Sequence, residues 1–404
     1  MKTWLLLFLA YIGNFLLVGL ASAQTWIQQT NSPGEEWTCI ALSADGSKIA
    51  TASFNGPIYT SSDTGITWTE ATNAPGSDWI AVVSSADGVK LAALNIGGSI
   101  NSDNAIIYTS TNSGATWTAI NTPSVALNCL ASSADGTKLA AADWNDFGAP
   151  SLIYTSTNSG VTWITNNVPS EYWTSIATSA DGTQFVAACV NPQGTGTVFV
   201  SHDSGMSWNA TDLPFTNWQA VASSADGSAL VAAVSGGSVY TSTNAGATWK
   251  TNNIPVTFWS AVACSADGTK FVAVNTYGLL NDGGLIYTSN DSGVSWMSNA
   301  VPGNVSWQEV ASSADGNRLA VATFNNSIYT FYSTPHPKLN VAVLTSNLTL
   351  SWVVPSTTFV LQQSGDLVSW MDVTNTPVLN LTSLQNEFHV SPYKTSGFYR
   401  LMAQ

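Results

Sequence analysis

The chain of 404 residues contains seven copies of one phrase, Ser-Ala-Asp-Gly, spaced 41 to 48 residues apart. Self-similar units of about 40 to 50 residues are typical of β-propeller blades or of helical solenoids. The runs between the phrases, such as Lys138–Ala142 and Leu152–Ser156, are rich in β-branched, aromatic and small residues and are bounded by Gly, Asn and Asp. This composition favours strands, so the sequence predicts an array of β units. The phrases begin at Ser43, Ser85, Ser133, Ser179, Ser224, Ser265 and Ser313.

A second motif, Ser-x-Asp/Asn-x-Gly-x-x-Trp, occurs once in each of the first six units. A short Asp or Asn side chain accepts hydrogen bonds from the backbone of its own turn, and Gly takes the positive φ of a tight hairpin. The Trp begins the next strand and supplies apolar area that holds the hairpin on the sheet. The copies span Ser61–Trp68, Ser110–Trp117, Ser156–Trp163, Ser201–Trp208, Ser242–Trp249 and Ser289–Trp296.

Six such motifs in register resemble the Asp-box (BNR) repeat of sialidase-like and photosystem II assembly-factor-like propellers, over about three quarters of the chain. The resemblance implies an all-β propeller. Each complete unit contains four strand-like runs, but the seventh lacks the last of them. We expect Thr25–Gln28 to supply it, because that run precedes Asn31–Gly34 as Thr67–Glu70 precedes Asn73–Gly76. Closure of this kind removes exposed sheet edges, so we predict a seven-bladed propeller over residues 24–333.

The two ends of the chain have different patterns. Residues 1–23 have a basic start, an apolar core and Ala21-Ser22-Ala23, which predicts a secretory signal peptide cleaved after Ala23. Residues 334–337 form a proline-containing linker. Residues 338–404 carry about seven short strand-like runs and predict a small β-sandwich, which resembles a C-terminal β-domain of exported proteins from Verrucomicrobia-like bacteria. We therefore expect a secreted, periplasmic or cell-surface protein.

Composition narrows the range of partners. The chain has 10 Lys and Arg against 24 Asp and Glu, so it lacks the basic footprint of a nucleic-acid-binding protein. After the signal peptide, no run approaches the ~20 apolar residues that span a bilayer. The chain has four cysteines. Cys39 and Cys129 fall in blades one and three, and Cys189 and Cys264 fall in blades four and six. Because neither pair lies in adjacent blades, we expect separate thiols and no disulfide bond. These features favour a monomer that binds an extracellular glycan or protein and requires no cofactor.

No catalytic or metal-binding set can be assembled from the sequence. A sialidase needs three arginines to hold the substrate carboxylate, but the chain has only Arg318 and Arg400. Its three histidines, His202, His336 and His389, are scattered, and no His or Cys pair has ligand spacing. The sequence thus predicts no catalytic residue and no metal site, and it favours a protein that is not an enzyme.

Paired carboxylates are the remaining route to catalysis, because two suitably separated acids suffice for glycoside hydrolysis. The acids of the two turn motifs are explained by the turns. The others are spread over several blades and single out no pair. A carbohydrate-active hydrolase or lyase therefore stays the alternative. These other acids are Glu35, Glu36, Asp78, Asp103, Asp143, Asp146, Glu171, Asp212, Asp282 and Glu309.

Departures from the repeat indicate the candidate ligand site. Six of the seven inner strands begin with Trp, which either packs between blades or lines a channel mouth for sugar stacking. Trp144 alone among the propeller tryptophans lies outside the repeat positions. It sits in an expanded loop on the face that also carries the inter-blade connections, and aromatic residues beside amides and carboxylates suit a polar ligand. The candidate residues are Trp144, Asp143, Asn145, Asp146, Tyr277, Asn281, Asp282, Glu36, Asp78 and Tyr172.

Overall fold

Strands form every regular element of the chain that the computed structural model describes. It describes residues 25–71, 73–97, 105–124, 126–144, 151–276, 284–299, 305–324, 327–332, 340–343, 348–353, 359–364, 371–373, 377–380, 382, 385–390 and 398–403. Within these ranges no helix has the length and apolar character needed to cross a membrane.

The first 28 strands belong to the repeat region. They are β1 (Thr25–Gln28), β2 (Trp37–Leu42), β3 (Ile49–Ser53), β4 (Ile58–Ser61), β5 (Thr69–Glu70), β6 (Trp79–Ser84), β7 (Leu91–Asn95), β8 (Ile106–Ser110), β9 (Thr118–Ala119), β10 (Leu127–Ser132), β11 (Leu139–Asp143), β12 (Ile153–Ser156), β13 (Ile164–Thr165), β14 (Tyr172–Thr178), β15 (Phe185–Val190), β16 (Val198–Ser201), β17 (Asn209–Ala210), β18 (Trp218–Ser223), β19 (Leu230–Gly237), β20 (Val239–Ser242), β21 (Lys250–Thr251), β22 (Thr257–Cys264), β23 (Phe271–Asn275), β24 (Ile286–Ser289), β25 (Met297–Asn299), β26 (Trp307–Ser312), β27 (Arg318–Thr323) and β28 (Ile328–Tyr332).

These strands form seven four-stranded antiparallel blades. Six blades take four consecutive strands each, from β2–β5 to β22–β25. The seventh consists of β26, β27, β28 and β1, with Trp26 opposite Phe331 in the antiparallel pair. The predicted closure by the N-terminal strand is confirmed. The fifth and sixth blades are also joined, because Ser235 and Gly237 of β19 pair with Phe258 and Thr257 of β22.

The alanine of each Ser-Ala-Asp-Gly phrase belongs to a closed ring of backbone hydrogen bonds. Each alanine N–H donates to the carbonyl of the corresponding alanine in the next blade, and the last donates to the first. The seven alanines form one apolar cluster in which all but the partly buried Ala180 are more than nine-tenths buried. We call them the alanine ring. The bonds run from Ala44 to Ala86 (2.7 Å), Ala86 to Ala134 (2.7 Å), Ala134 to Ala180 (2.7 Å), Ala180 to Ala225 (2.7 Å), Ala225 to Ala266 (2.9 Å), Ala266 to Ala314 (2.7 Å) and Ala314 to Ala44 (2.8 Å).

The other residues of the phrase build the turn that presents this alanine. In the first blade the Ser43 hydroxyl donates to Asp45 Oδ1 (2.5 Å) and accepts from the Lys48 N–H (3.0 Å). Asp45 Oδ1 also accepts the Ser47 N–H at 2.9 Å. Gly46 has φ +66°, a left-handed conformation that glycine adopts without steric cost. The aspartates of this phrase therefore act within their turns, as the sequence indicated.

The Asp-box hairpins lie on the same side of the disc as these turns. In the first blade the Gly65 N–H donates to Ser61 Oγ (2.9 Å), and the Thr67 N–H donates to Asp63 Oδ1 (2.8 Å). The Thr64 N–H donates to the carbonyl of Ser47, just after the alanine-ring turn, at 2.9 Å. We call the side of the disc that carries the Ser-Ala-Asp-Gly turns and the Asp-box hairpins the turn face. The opposite side, with the connections between second and third strands and between blades, is the loop face.

Long side chains on the turn face join neighbouring blades. Lys48 Nζ donates to the Asp87 carbonyl (2.8 Å), and Lys90 Nζ donates in the same way to Asp135 (2.9 Å). Every Lys and Arg between residues 24 and 333 comes two residues after the glycine of a Ser-Ala-Asp-Gly phrase, with the exception of Lys250. The Lys250 ammonium contacts the carbonyl of Gly293 in the adjacent Asp box. The basic residues of the propeller are thus placed on the turn face. They are Lys48, Lys90, Lys138, Lys250, Lys270 and Arg318.

The tryptophans that begin the inner strands pack between neighbouring blades. Their exposed fractions are 0 to 1%, and each ring meets an aromatic ring of its own third strand edge-on, with centroids 5.1 to 5.9 Å apart. Such pairs add about 0.5 to 1.5 kcal/mol to the burial itself. Of the two interpretations left open, packing is correct and sugar stacking is wrong. The residues are Trp37, Trp79, Trp173, Trp218, Trp259 and Trp307.

The C-terminal strands form two small sheets around Leu350, Trp352 and Leu361. One sheet has the order β29-β30-β34-β33 and the other β32-β31-β35, as expected for the predicted sandwich. The strands are β29 (Asn340–Val343), β30 (Leu348–Val353), β31 (Phe359–Ser364), β32 (Met371–Asp372), β33 (Val378–Asn380), β34 (Gln385–Val390) and β35 (Phe398–Ala403).

Most of the contribution of the closing strand β1 to stability should come from Trp26. This ring is 6% exposed and packs on Phe331 with centroids 5.2 Å apart, whereas Ile27 on the same strand is 52% exposed. We expect Trp26→Ala to lower the free energy of unfolding by about 3 to 5 kcal/mol, as for other large core truncations. The control Ile27→Ala should cost less than about 1 kcal/mol. Urea denaturation measures both, and similar small losses would contradict closure through Trp26.

Candidate functional site

A cavity of about 480 Å³ lies on the propeller axis and is lined by the inner strands of all seven blades. These strands run from the loop face toward the turn face, where the alanine ring encircles the axis. At the other end the lining includes Ser235, Phe258 and Thr276, which belong to the loop face. The cavity therefore reaches the loop face, and we call it the cup.

A β-bulge in every inner strand explains why so many side chains reach the axis. In β2 the strand register shifts between Trp37 and Cys39. The same shift follows the corresponding Trp in five other inner strands and Leu127 in β10. A bulge places two residues opposite one, so the strict alternation of side chains is broken. As a result both Thr38 and Cys39 line the cavity, as do Gln308 and Glu309.

The bulged residue itself is polar in six blades. Several of these side chains also join blades, since Thr38 Oγ1 donates to the Trp79 carbonyl (2.6 Å) and Ser260 Oγ to the Trp307 carbonyl (2.8 Å). Asn128 Nδ2 donates to the Trp173 carbonyl at 3.0 Å. The cavity wall thus carries polar side chains, and hydrogen bonds to the next blade fix the positions of several of them. The seven residues are Thr38, Ile80, Asn128, Thr174, Gln219, Ser260 and Gln308.

Glu309 occupies the next position in the seventh blade and is the one carboxylate in the described lining of the cavity. Its Oε1 accepts the Val310 N–H at 3.2 Å. Burial raises the pKa of Glu309 to about 7, and that hydrogen bond offsets part of the effect. The side chain is only partly exposed, so a change of charge there is screened less than on the surface.

Sequence reasoning placed Glu309 among the unassigned acids but did not select it. The signal is visible when the seven inner strands are compared at this position, where the other six carry only Cys, Ala or Ser. The set is Cys39, Ala81, Cys129, Ser175, Ala220, Ala261 and Glu309.

The thiols in the cavity are poor nucleophiles. Cys39 and Cys129 both line it, and burial raises the pKa of each, that of Cys39 to about 12 with a smaller contribution from the charge of Glu309. A protonated thiol is unreactive compared with a thiolate. All four cysteines are free in the structure.

The sequence-predicted site residues separate into three groups. Trp144 is 38% exposed and stacks on Tyr172 with ring centroids 5.6 Å apart and planes 14° from parallel. The exposed Glu36 also lies on the loop face. Asp78 and Asp143, by contrast, are each 1% exposed. The remaining candidates, Asn145, Asp146, Tyr277, Asn281 and Asp282, lie outside the described residues.

The two buried carboxylates have partners within the protein. Asp78 Oδ1 accepts the Asn55 N–H at 3.0 Å, which fixes a connection of the first blade. Asp143 Oδ2 accepts the hydroxyl of Tyr154 at 3.2 Å, and burial raises the pKa of Asp143. Of the described candidates, only Trp144, Tyr172 and Glu36 therefore present side-chain surface to a ligand.

The basic residues of the propeller are confined to one face of the disc. All six basic residues of the propeller lie on the turn face, so the loop face carries carboxylates without a Lys or Arg of its own. The described acids of this side include Glu35, Glu36, Glu171, Asp212 and Glu309. A face of one sign attracts ligands of the other.

Comparisons with known proteins identify the fold only. No family model matches the chain, and no curated protein matches it in sequence. Among solved structures, a GH74 xyloglucanase from Xanthomonas campestris is similar with a TM-score of 0.60 and 16% identity, over 82% of this chain and 59% of that chain. The chain thus spans less than two thirds of that enzyme.

Two structures of YCF48 are similar over nearly their whole length. YCF48 from Cyanidioschyzon merolae has a TM-score of 0.56 and 13% identity, over 76% of this chain and 98% of that chain. A structure of YCF48 bound to D1 peptide has a TM-score of 0.56 and 15% identity, over 78% and 97%. The fold is a β-propeller. The predicted propeller is confirmed. Sequence identities of 13 to 16% support a shared fold and no statement about function.

The raised pKa of Glu309 predicts pH-dependent stability. Between about pH 4.5 and 7 the folded protein holds a proton that the unfolded chain releases, so stability falls as the pH rises through this window. Glu309→Gln removes the effect. The variant should match the wild type near pH 4 and exceed it above pH 7 by about 1 to 3 kcal/mol.

Chemical denaturation at the two pH values measures this difference. Glu70→Gln is the matched control, since Glu70 is exposed on the outer strand β5, and surface changes usually stay within about 0.5 kcal/mol. An unchanged gap between wild type and Glu309→Gln at low and high pH would contradict the burial of the charge.

Proposed function

We propose that the chain is an exported, monomeric, non-catalytic binding protein that receives part of a protein ligand in its axial cavity from the loop face. The observation that carries this proposal is the cup itself, a cavity of about 480 Å³ that is lined by the inner strands of all seven blades, has polar side chains in its wall and reaches the loop face. Concave sites with a few fixed polar groups are typical of ligand binding. Export rests on the signal pattern of residues 1–23.

The choice of binding over hydrolysis rests on the carboxylates. Glycosidases use two acids, about 5 to 9.5 Å apart, on either side of the scissile bond. The described lining of the cavity offers Glu309 alone, and Asp78 and Asp143 are buried in contacts of their own. The hydrolase alternative therefore lacks a pair of acids in the described lining of the cavity.

The choice of a protein over a neutral glycan rests on charge. An acidic face with a carboxylate in its central cavity complements positive charge, which proteins carry on Lys and Arg and neutral polysaccharides do not. One of the similar propellers is described as bound to a peptide. The same acidic face disfavours nucleic acid.

Trp144 and Tyr172 are the proposed anchor at the rim of the cup. Tyr172 lies two residues before Thr174, which lines the cavity, so the stacked pair stands beside the opening. Partly exposed aromatic residues on rigid scaffolds are frequent binding hot spots.

An array of immobilised peptides and glycans, probed with the purified protein, tests the proposal. We expect saturable binding to a subset of peptides. Gln219→Trp, which fills the opening from an exposed lining residue, should abolish it. Trp144→Ala should weaken it by about 1 to 3 kcal/mol without changing the melting temperature.

Ile164→Trp, on the exposed outer strand β13, is the matched control and should bind normally. Peptide binding that survives Gln219→Trp would contradict the cavity as the site. Release of reducing ends from a bound glycan would contradict the absence of catalysis.

A further inference from the structure

Glu309 has no structural reason to be a carboxylate. The six equivalent inner-strand positions carry Cys, Ala or Ser and support the same bulge, so neither the bulge nor blade packing requires an acid. Its single described hydrogen bond comes from the backbone of the next residue. A desolvated carboxylate without a positively charged partner lowers stability, and a small residue would stabilise the fold more.

The groups that face Glu309 offer it no positive charge. The described lining of the cavity contains no Lys, Arg or His, and its other titratable groups are the thiols of Cys39 on β2 and Cys129 on β10. The Lys and Arg side chains of the propeller contact the turn face instead. Any cation that balances Glu309 must therefore come from outside the described chain.

We propose that Glu309 is the binding site for an organic ammonium group, such as the end of a lysine side chain, inserted along the axis from the loop face. This inference rests on the proposed function and specifies its ligand. An ammonium group has three donors. Glu309 can accept one, while the carbonyl oxygens of Gln308 and Gln219 and the hydroxyl oxygens of the wall supply further acceptors around the same cavity.

A metal ion fits this lining less well. Calcium takes six to eight oxygen ligands and usually several carboxylates, and among the described residues no group of three or more His, Cys, Asp or Glu side chains comes together. A single carboxylate with neutral acceptors suits a monovalent cation. The acidic loop face would raise the local concentration of any cationic ligand before it enters.

Small probes can test the site without knowledge of the natural ligand. We would titrate the purified protein with n-butylammonium chloride, with 1-butanol as the neutral analogue, and with NaCl and CaCl2 at matched ionic strength. The readouts are the melting temperature and calorimetric affinity, near pH 8 and near pH 5. Glu309→Gln is the test variant, and Glu70→Gln is the charge-matched control.

We expect butylammonium to bind wild type and Glu70→Gln near pH 8 at least about tenfold more tightly than Glu309→Gln. Its binding to the wild type should weaken near pH 5, where Glu309 is protonated, and 1-butanol should bind all three proteins equally weakly. The proposal is overturned if Glu309→Gln binds butylammonium as the wild type does, or if Ca²⁺ binds in a Glu309-dependent manner and competes it off.

Peptides and amino sugars separate the two sources of an ammonium group. Peptides that bind in the array are remade with each lysine acetylated, and glucosamine is compared with N-acetylglucosamine. We expect acetylation of one lysine to reduce peptide affinity about tenfold in the wild type and to have no effect in Glu309→Gln. Glu309-dependent binding of glucosamine without any peptide binding would refute the lysine assignment.

The two proposals can fail separately. Peptides that bind through the cavity but tolerate acetylation and Glu309→Gln would refute the ammonium site and leave the binding function intact. The converse result is that butylammonium binds in a Glu309-dependent manner while Gln219→Trp blocks the binding of no peptide. That result would refute the proposed function and leave the cation site intact.

Discussion

The alanine ring is the constraint on which the rest of the propeller depends. Seven backbone hydrogen bonds of 2.7 to 2.9 Å join each blade to the next and return to the start, so no blade can move outward alone without breaking two of them. The ring carries alanine in every blade, and the seven side chains form one apolar cluster. Ser, Asp and Gly of the same phrase hold the turn that presents it. The repeat is therefore seen in sequence because each of its four positions has a separate physical task.

The axial cavity reaches the loop face, and the proposed binding uses that face for ligand entry. There the bulges of the inner strands turn two successive side chains toward the axis, and this produces a polar wall from strands that are otherwise apolar. The long basic side chains that join neighbouring blades lie on the turn face, together with the ten aspartates of the two turn motifs. The loop face has carboxylates but no Lys or Arg of the propeller, and this favours cationic ligands there.

Much of the fold could be predicted from the sequence because each repeat is its own control. Seven phrases gave the number of blades, and the likeness of Thr25–Gln28 to Thr67–Glu70 gave the closing strand, which Trp26 and Phe331 bear out. The site was less accessible. Trp144 was selected because it breaks the repeat, and it does lie exposed against Tyr172. Burial of Asp78 depends on a contact with Asn55 of the preceding blade, and burial of Asp143 on a contact with Tyr154 of the neighbouring strand, and no local sequence pattern shows either contact. Glu309 was not selected because alternation along a strand does not show a bulge, and the bulge is what turns this side chain into the cavity.

Amide hydrogen exchange of the seven ring alanines, in protein labelled selectively with 15N-alanine, tests the central claim most directly. If the ring opens only as a whole, all seven amides should exchange through global unfolding, with free energies of opening equal to the unfolding free energy and to one another within about 0.5 kcal/mol. A graded pattern, in which Ala314 and Ala44 at the closing blade exchange much faster than Ala134 and Ala180 opposite them, would contradict a closed ring and with it the cup that the proposed binding requires.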